Sequence, residues 1–309
     1  METASPATAL PCATGAQYTL ARGGATATIV SLAAGLRSFA RDGVALTESY
    51  ADREIAPGAT GITLAPFANR VDGGRWLLHG APQQLDITEV PRHNAIHGLL
   101  RNAPYAALES SEHHVLLEAA IHPQHGYPFL LRHRVRYTLT EALELAVEQT
   151  LINDSAEPAP FVLGAHPYLR LAGVPTAELT VTIPASATLT ANDRLIPTGT
   201  VPVSGDTDLR AGRRAGSLAL DSSFTALAYD GGLATSTLTA PDGRAVWLWQ
   251  DESAPYVHVF ITDQFPGRDC AVAVEPMTGP ANAFNSGEGL RWLAPGEAAT
   301  MRWGIGARL

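Results

Sequence analysis

Two titratable residues in this chain stand at the end of apolar runs, each followed by a proline. His166 lies in Phe161-Val162-Leu163-Gly164-Ala165-His166-Pro167-Tyr168-Leu169, and Glu275 closes Ala271-Val272-Ala273-Val274 just before Pro276. Proline disfavours a helical backbone for the residue before it, so His166 is expected to be extended. An imidazole in apolar surroundings can be tuned close to neutral pH. A carboxylate that loses its water is harder to ionise and becomes a better base near neutrality. Asn69-Arg70 closes Leu64-Ala65-Pro66-Phe67-Ala68, and the planar donor fork of Arg beside the donor–acceptor amide of Asn suits sugar hydroxyls or a carboxylate. Together these residues fit acid–base chemistry on a polar neutral substrate. Taken singly, each also allows a plainer role: a histidine bonded to a carbonyl, a glutamate turned out of a turn, an arginine in a surface ion pair.

Other candidates carry less. His93 and His97 have the four-residue spacing of two helical metal ligands, but Pro91 and Gly98 bracket them and no helical pattern surrounds them. No metal site is expected there. His113-His114 and His122-Pro123-Gln124-His125 read as surface histidines. Arg132, Arg134 and Arg136 alternate along one strand face, which reads as a solvated charged face rather than a phosphate site. The sequence contains no GxxxxGK[ST], no GxGxxG after a strand, no HExxH and no GxSxG, so nucleotide-dependent and zinc-protease readings lose their usual support.

The elements that must position these side chains are strands. Leu143, Leu145 and Val147 alternate with Glu144, Ala146 and Glu148, and Leu179–Ile183 is largely β-branched up to Pro184. Val246–Trp249 follows the turn signal Pro241-Asp242-Gly243; Tyr256–Thr262 and Ala271–Val274 come next. The 28 glycines and 22 prolines are spread along all 309 residues and leave little room for long helices. No sustained 3.6-residue periodicity is present. The pattern predicts an all-β fold, a large antiparallel β-sandwich with few short helices, rather than a parallel βαβ enzyme. The Ala-, Thr-, Ser- and Pro-rich segment 1–15 is expected to be frayed and 16–309 to form one domain. Val203–Gly216 reads as an exposed loop.

Composition narrows the function further. A net charge of −9 argues against general binding to nucleic acid. No run of about 18 apolar residues exists to span a membrane, and no basic, apolar leader opens the sequence. Cys12 and Cys270 form no CxxC pair and are expected to be unpaired thiols in a reducing compartment, consistent with a cytoplasmic protein.

Several segments, in order, resemble the aldose 1-epimerase (mutarotase) family of galactose mutarotase-like proteins. They are Asn69-Arg70-Val71 with Gly73-Gly74 and Trp76; Asn94-Ala95-Ile96-His97-Gly98; Gly164-Ala165-His166-Pro167-Tyr168; Leu220-Asp221-Ser222-Ser223-Phe224; and Glu275-Pro276-Met277-Thr278 followed by Ala283-Phe284-Asn285 and Leu293-Ala294-Pro295-Gly296-Glu297. The resemblance implies a supersandwich with its site in a groove on one sheet. It implies interconversion of the α and β anomers of a free aldohexose, with Glu275 as base, His166 as acid and His97 beside the ring oxygen. Arg70, Asn69 and Asp221 would hold hydroxyls, and Trp76, Tyr168 and Phe284 would form an apolar wall for a monosaccharide. No cofactor or metal is implied, because only protons move. The sequence departs from the galactose-acting branch at Ala165 and at Leu169-Arg170, which bears on sugar preference rather than on chemistry. A hexose-6-phosphate 1-epimerase, with Arg132, Arg134, Arg136 or Arg170 supplying a basic pocket, and a non-catalytic sugar-binding module are the competing readings. The oligomeric state is not legible.

Overall fold

Alternating apolar residues become strands with one face buried. In a computed structural model, which describes residues 12–309, Leu131–Leu139 buries Leu131, His133, Val135, Tyr137 and Leu139 and turns Arg132, Arg134 and Arg136 outward. The same alternation runs through His114–Ile121 and Leu145–Asn153. These strands form the middle of a nine-stranded sheet that continues through Ala298–Arg308, Ala245–Asp251 and Leu233–Thr239. The outward arginines face acids: Arg132 pairs with Asp154, Arg134 with Glu118 and Arg136 with Glu109. The charged face is therefore solvated and self-neutralised, as its spacing suggests.

A second sheet of eight strands carries the candidate site. Its centre runs from Ala185–Ala191 through Asp221–Leu227, Tyr256–Thr262 and Ala271–Met277 to Gly164–Ala165 and Thr63–Leu64, with Tyr168–Leu169 also paired to Ala271–Met277. Every strand pairing in both sheets is antiparallel among the described residues. Val115, Val135, Leu145 and Leu248 of the first sheet share one connected core with Phe224, Val257, Val259, Val272 and Val274 of the second. Each such side chain, fully buried, stabilises by about 1.5–3 kcal/mol before entropy is counted.

Ala271–Met277 is buried on both faces, which explains its unbroken apolar run. Val272 and Val274 point into the core, whereas Ala271 and Ala273 pack with Tyr168 and Phe265 on the opposite face. Glu275 shares the parity of Ala271 and Ala273. A smaller four-stranded sheet runs from Gln17–Arg22 to Val44–Ala45. The single α-helix among the described residues is Ala283–Ser286.

Two local expectations need adjustment. Of the segment expected to fray, residues 1–11 lie outside the described residues, but Cys12–Gly15 is held: Ala13 N–H donates to the Asp52 carbonyl at 2.8 Å and Thr14 is buried. Val203–Gly216 is not a plain loop, because Leu209 is buried and Arg213–Arg214 pairs with Thr180–Thr182 at a sheet edge. Cys12 and Cys270 are both free.

Candidate active site

Strand register assembles the site. Ser223 pairs with His258, and His258 pairs with Glu275. On the other side of Glu275, Gly164 pairs with Met277 and Tyr168 with Ala273, which places the intervening His166 level with Glu275. Ser223, His258, Glu275 and His166 thus form one row across the sheet. Period-two alternation puts their side chains on the face away from the core. Asp221 stands two residues along from Ser223, opposite Phe260.

A second wall comes from the segments around Asn69 and His97. Arg70–Asp72 and Asn94–Ile96 pair antiparallel, and His97 N–H donates to the Asn69 carbonyl at 2.9 Å. Asn69 and His97 both have positive φ, 54° and 66°, so each terminates its strand with a left-handed kink. Gly98 follows with φ 79° and a backbone so close to Ala65 that a Cβ would lie 2.2 Å from the Ala65 carbonyl oxygen. That position admits glycine only.

The geometry joins a buried histidine–carboxylate pair to a polar clamp. His166 Nε2 lies 3.3 Å from Glu275 Oε1, with the residues 4% and 1% exposed. The His166 ring stacks on Tyr168 at 5.3 Å and meets the edge of His97 at 5.2 Å. Glu275 Oε2, His166 Nδ1 and His97 Nδ1 are buried without a hydrogen-bond partner among the described residues. Burial pushes His166 below the ordinary imidazole value, and the Glu275 charge pulls the other way. Burial pushes His97 down further, aided by the positive fields of His166, Arg101 and Arg70.

In the clamp, His258 Nε2 lies 2.9 Å from Asp221 Oδ1, and its Nδ1 lies 2.8 Å from Ser223 Oγ. Arg70 Nη1 stands 3.5 Å from the same Asp221 oxygen. Its Nε and Nη2 donate to Glu89 at 2.9 and 3.0 Å, and its Nη1 to Asn69 Oδ1 at 3.2 Å. Burial opposes ionisation of Asp221, but the hydrogen bond from His258 and the Arg70 charge outweigh it and hold the carboxyl well below its usual range. Asp221 is therefore an acceptor-only group at neutral pH.

Arg70, Glu89, His258 and the His166–Glu275 pair line an open cavity of about 1150 Å³. Asn69, Arg70, His97, His166, Asp221 and Glu275, all named from the sequence, meet there. The expected aromatic wall does not. Trp76 is buried in the core, where its Nε1 donates to the Gly126 carbonyl and its ring packs on Phe284 at 5.0 Å; neither lines the cavity. Their motif neighbours reach the site, but the Trp76 and Phe284 side chains pack into the core. Tyr168 lies behind His166, and its hydroxyl donates to the Gly58 carbonyl. Phe260, Ile55, Pro57 and Val90 supply the apolar lining instead. His93 is exposed, at the opposite end of Asn94–Ile96 from buried His97.

Sequence reasoning passed over His258 and Glu89. His258 had a signal: it is the polar member of Tyr256-His258-Phe260, the face opposite Val257, Val259 and Ile261. Glu89 had none, since it lies in a polar turn and gains its role only through Arg70 and Asn94.

Residues 16–305 match the profile of the aldose 1-epimerase family. The chain is 32% identical over 285 residues to the uncharacterised Escherichia coli protein YihR, covering 92% of this chain and 90% of that one. It is 31% identical over 176 residues to the galactose mutarotase of Rattus norvegicus, covering 54% of this chain and 49% of the rat protein. Its fold is similar to a galactose mutarotase-like protein of Clostridium acetobutylicum, with a TM-score of 0.83, 17% identity and 94% of each chain covered. It is also similar to the galactose 1-epimerase of Lactobacillus acidophilus, with a TM-score of 0.80, 20% identity, and 94% of this chain and 93% of that one covered.

Proposed function

Because the chain belongs to the aldose 1-epimerase family, we propose that it interconverts the α and β anomers of an aldohexose by acid–base ring opening and reclosure. The observation that carries this reading is the buried His166–Glu275 pair, 3.3 Å apart on the floor of an open polar cavity. A sugar-binding module needs hydrogen bonds but no matched acid and base.

The steps follow from hemiacetal chemistry. The Glu275 carboxylate takes the proton of the C1 hydroxyl. The electron pair left on that oxygen forms the C1=O bond as the bond from C1 to the ring oxygen breaks. The ring oxygen takes a proton from the His166 imidazolium. Rotation about C1–C2 presents the other carbonyl face, and the ring oxygen attacks while returning its proton to His166. Glu275 then returns its proton to the C1 oxygen, so no net proton is consumed. Both groups serve as acid and as base in turn, which requires one proton to be held between them. His97 faces the ring-oxygen side, and Arg70, Asn69 and Asp221 fix the hydroxyls. Such positioning makes the transfers intramolecular, a gain of several kcal/mol or more in barrier terms.

Polarimetry on freshly dissolved α-D-glucose and α-D-galactose tests the proposal. The wild-type protein should speed the decay of rotation, and Glu275→Gln should lower that rate by about 10²-fold or more. A wild-type protein no faster than buffer, or an undiminished Gln variant, would overturn it.

A further inference from the structure

The turn that carries Glu89 is held from outside the cavity. A short 3₁₀ helix, Val90–Arg92, leads through His93 into Asn94–Ile96. Against it lies the tip of the hairpin formed by Ala185–Ala191 and Pro197–Pro202. That tip closes on itself: Asn192 Oδ1 accepts from the N–H groups of Arg194 and Ile196 at 2.9 and 3.1 Å, and Leu195 takes a left-handed φ of 59°. The Arg194 side chain is thereby presented to the turn. Its Nε donates to the Arg92 carbonyl at 2.9 Å, and its Nη2 donates to the His93 carbonyl at 2.8 Å and to Asn94 Oδ1 at 2.9 Å. Its Nη1 lies 2.6 Å from Asp72. The planar donor fork of arginine suits four acceptors set around it; a lysine ammonium, a point charge with three donors, does not.

Asn94 passes this contact inward. It is fully buried, and its Nδ2 donates to Glu89 Oε2 at 2.9 Å and to the Arg194 carbonyl at 3.1 Å. The amide can face only one way, because the guanidinium offers donors alone and the carboxylate acceptors alone. The backbones are joined too: Glu89 N–H donates to the Asn94 carbonyl at 2.9 Å, and Asn94 N–H to the Glu89 carbonyl at 3.2 Å. Glu89 receives the Arg70 fork, and Arg70 reaches Asp221. A polar chain thus runs from the hairpin tip to the clamp, although Arg194 and Asn94 are 100 residues apart in sequence. Neither lines the cavity. Glu89 has a competing partner in Arg92, 3.4 Å away and more exposed. Freed from Asn94, the carboxylate could follow Arg92 outward and leave the Arg70 fork unheld. Behind the clamp, Leu195 and Pro197 help close a recess of about 20 Å³ bounded by Asn69, Arg70, Asp221 and His258. Such a space admits a water molecule but no sugar, so the hairpin backs the clamp and offers no second sugar site.

Resting on the epimerase reading above, we infer that Arg194 and Asn94 are positioning residues: through Glu89 they set the orientation of the Arg70 guanidinium and so the affinity for sugar. They touch none of the reacting atoms. Their loss therefore weakens binding of substrate and transition state alike and leaves the proton transfers at His166 and Glu275 intact.

The test uses wild type, Arg194→Ala, Arg194→Lys, Glu89→Gln and the Arg194→Ala/Glu89→Gln double variant. Polarimetry on D-glucose and D-galactose gives kcat and KM, NMR titration with the same sugars gives Kd, and thermal unfolding gives Tm. The Arg194 side chain is 40% exposed, so its truncation leaves the core untouched. Arg194→Ala should raise KM and Kd by about tenfold, the scale of one charge-assisted hydrogen bond, with kcat within about twofold of wild type. Arg194→Lys keeps the charge beside Asp72 but not the fork, and should recover only part of the affinity. In the Glu89→Gln background the same alanine substitution should cost less than about twofold, because the two residues act through one contact. A merely structural role would make the two losses additive. An unchanged KM and Kd in Arg194→Ala, additive losses, or a fall in kcat that tracks a fall in Tm overturns the positioning role and leaves the epimerase reading standing. Wild type that binds these sugars without speeding anomerisation overturns the epimerase reading, while Kd still decides the role of Arg194. Wild type that neither binds nor accelerates overturns both.

Discussion

Replacing side chains along the buried row separates their roles. His166→Asn keeps a polar side chain at the Glu275 level but removes the titrating group, so kcat should fall by about 10²-fold or more in polarimetry. His97→Asn should cost less, because His97 meets the edge of the His166 ring but is not paired with Glu275. His258 acts through Asp221 rather than on the reacting atoms. His258→Leu removes the 2.9 Å contact to Asp221 and frees the carboxyl to move up towards its ordinary pKa. KM should rise by about tenfold with kcat nearly unchanged, and a new loss of affinity should appear as pH falls through the range near 4; His258→Gln, which keeps a donor, should restore part of both. The His166 proton sets the pH dependence under the proposed mechanism. Since burial pushes His166 below the ordinary imidazole value, kcat/KM should rise as pH is lowered through and below about 6.5. A profile that instead keeps climbing above neutrality would remove His166 from the acid role.

At the scale of elements, the site depends on register on one side and on tight backbone contact on the other. A one-residue slip of Ala271–Met277 would turn Glu275 into the core and Val274 into the cavity. The two valines packed against the second layer guard against that slip. The His97 wall has only the short Arg70–Asp72 and Asn94–Ile96 ladder and relies on the left-handed turn at His97-Gly98 against Ala65. Gly98→Ala should therefore destabilise by about 1–3 kcal/mol and also depress kcat, because His97 must shift to relieve the clash. Thermal unfolding and polarimetry on the same preparation check both; a normal Tm with normal activity would show that the loop yields without cost.

For the whole molecule, three buried histidines link stability to acid. His97 and His166 lie at the cavity, while His133 is fully buried in the core, with Nδ1 2.7 Å from the Tyr105 hydroxyl. Burial depresses all three, His133 to about 3. Above about pH 6.5 folded and unfolded chains are both neutral at these sites and nothing is lost. Below it the unfolded chain takes up protons that the folded one refuses, so stability falls as pH drops from about 6.5 towards the folded values. His133 alone contributes a loss on the order of 5 kcal/mol by pH 3. Tm should fall steadily between pH 7 and 4, and the slope should be shallower in His133→Gln whatever its Tm at neutral pH.

What the sequence by itself determined was the all-β class and that His166 and Glu275 leave water together. Period-two alternation is local, so Leu131–Leu139 and Tyr256–Thr262 declare themselves as strands, and an apolar run ended by His166 or Glu275 marks a titratable group out of water. Only the tertiary structure decided which faces those strands share. His258 and Asp221 become a clamp through the register of Asp221–Leu227 on Tyr256–Thr262, and Arg70 meets Glu89, 19 residues away, across a turn. Trp76 and Phe284 pack in the core rather than on the cavity wall, because motif proximity says nothing of which way an aromatic ring turns; each goes where apolar partners are found, and Trp76 also finds a carbonyl for its N–H.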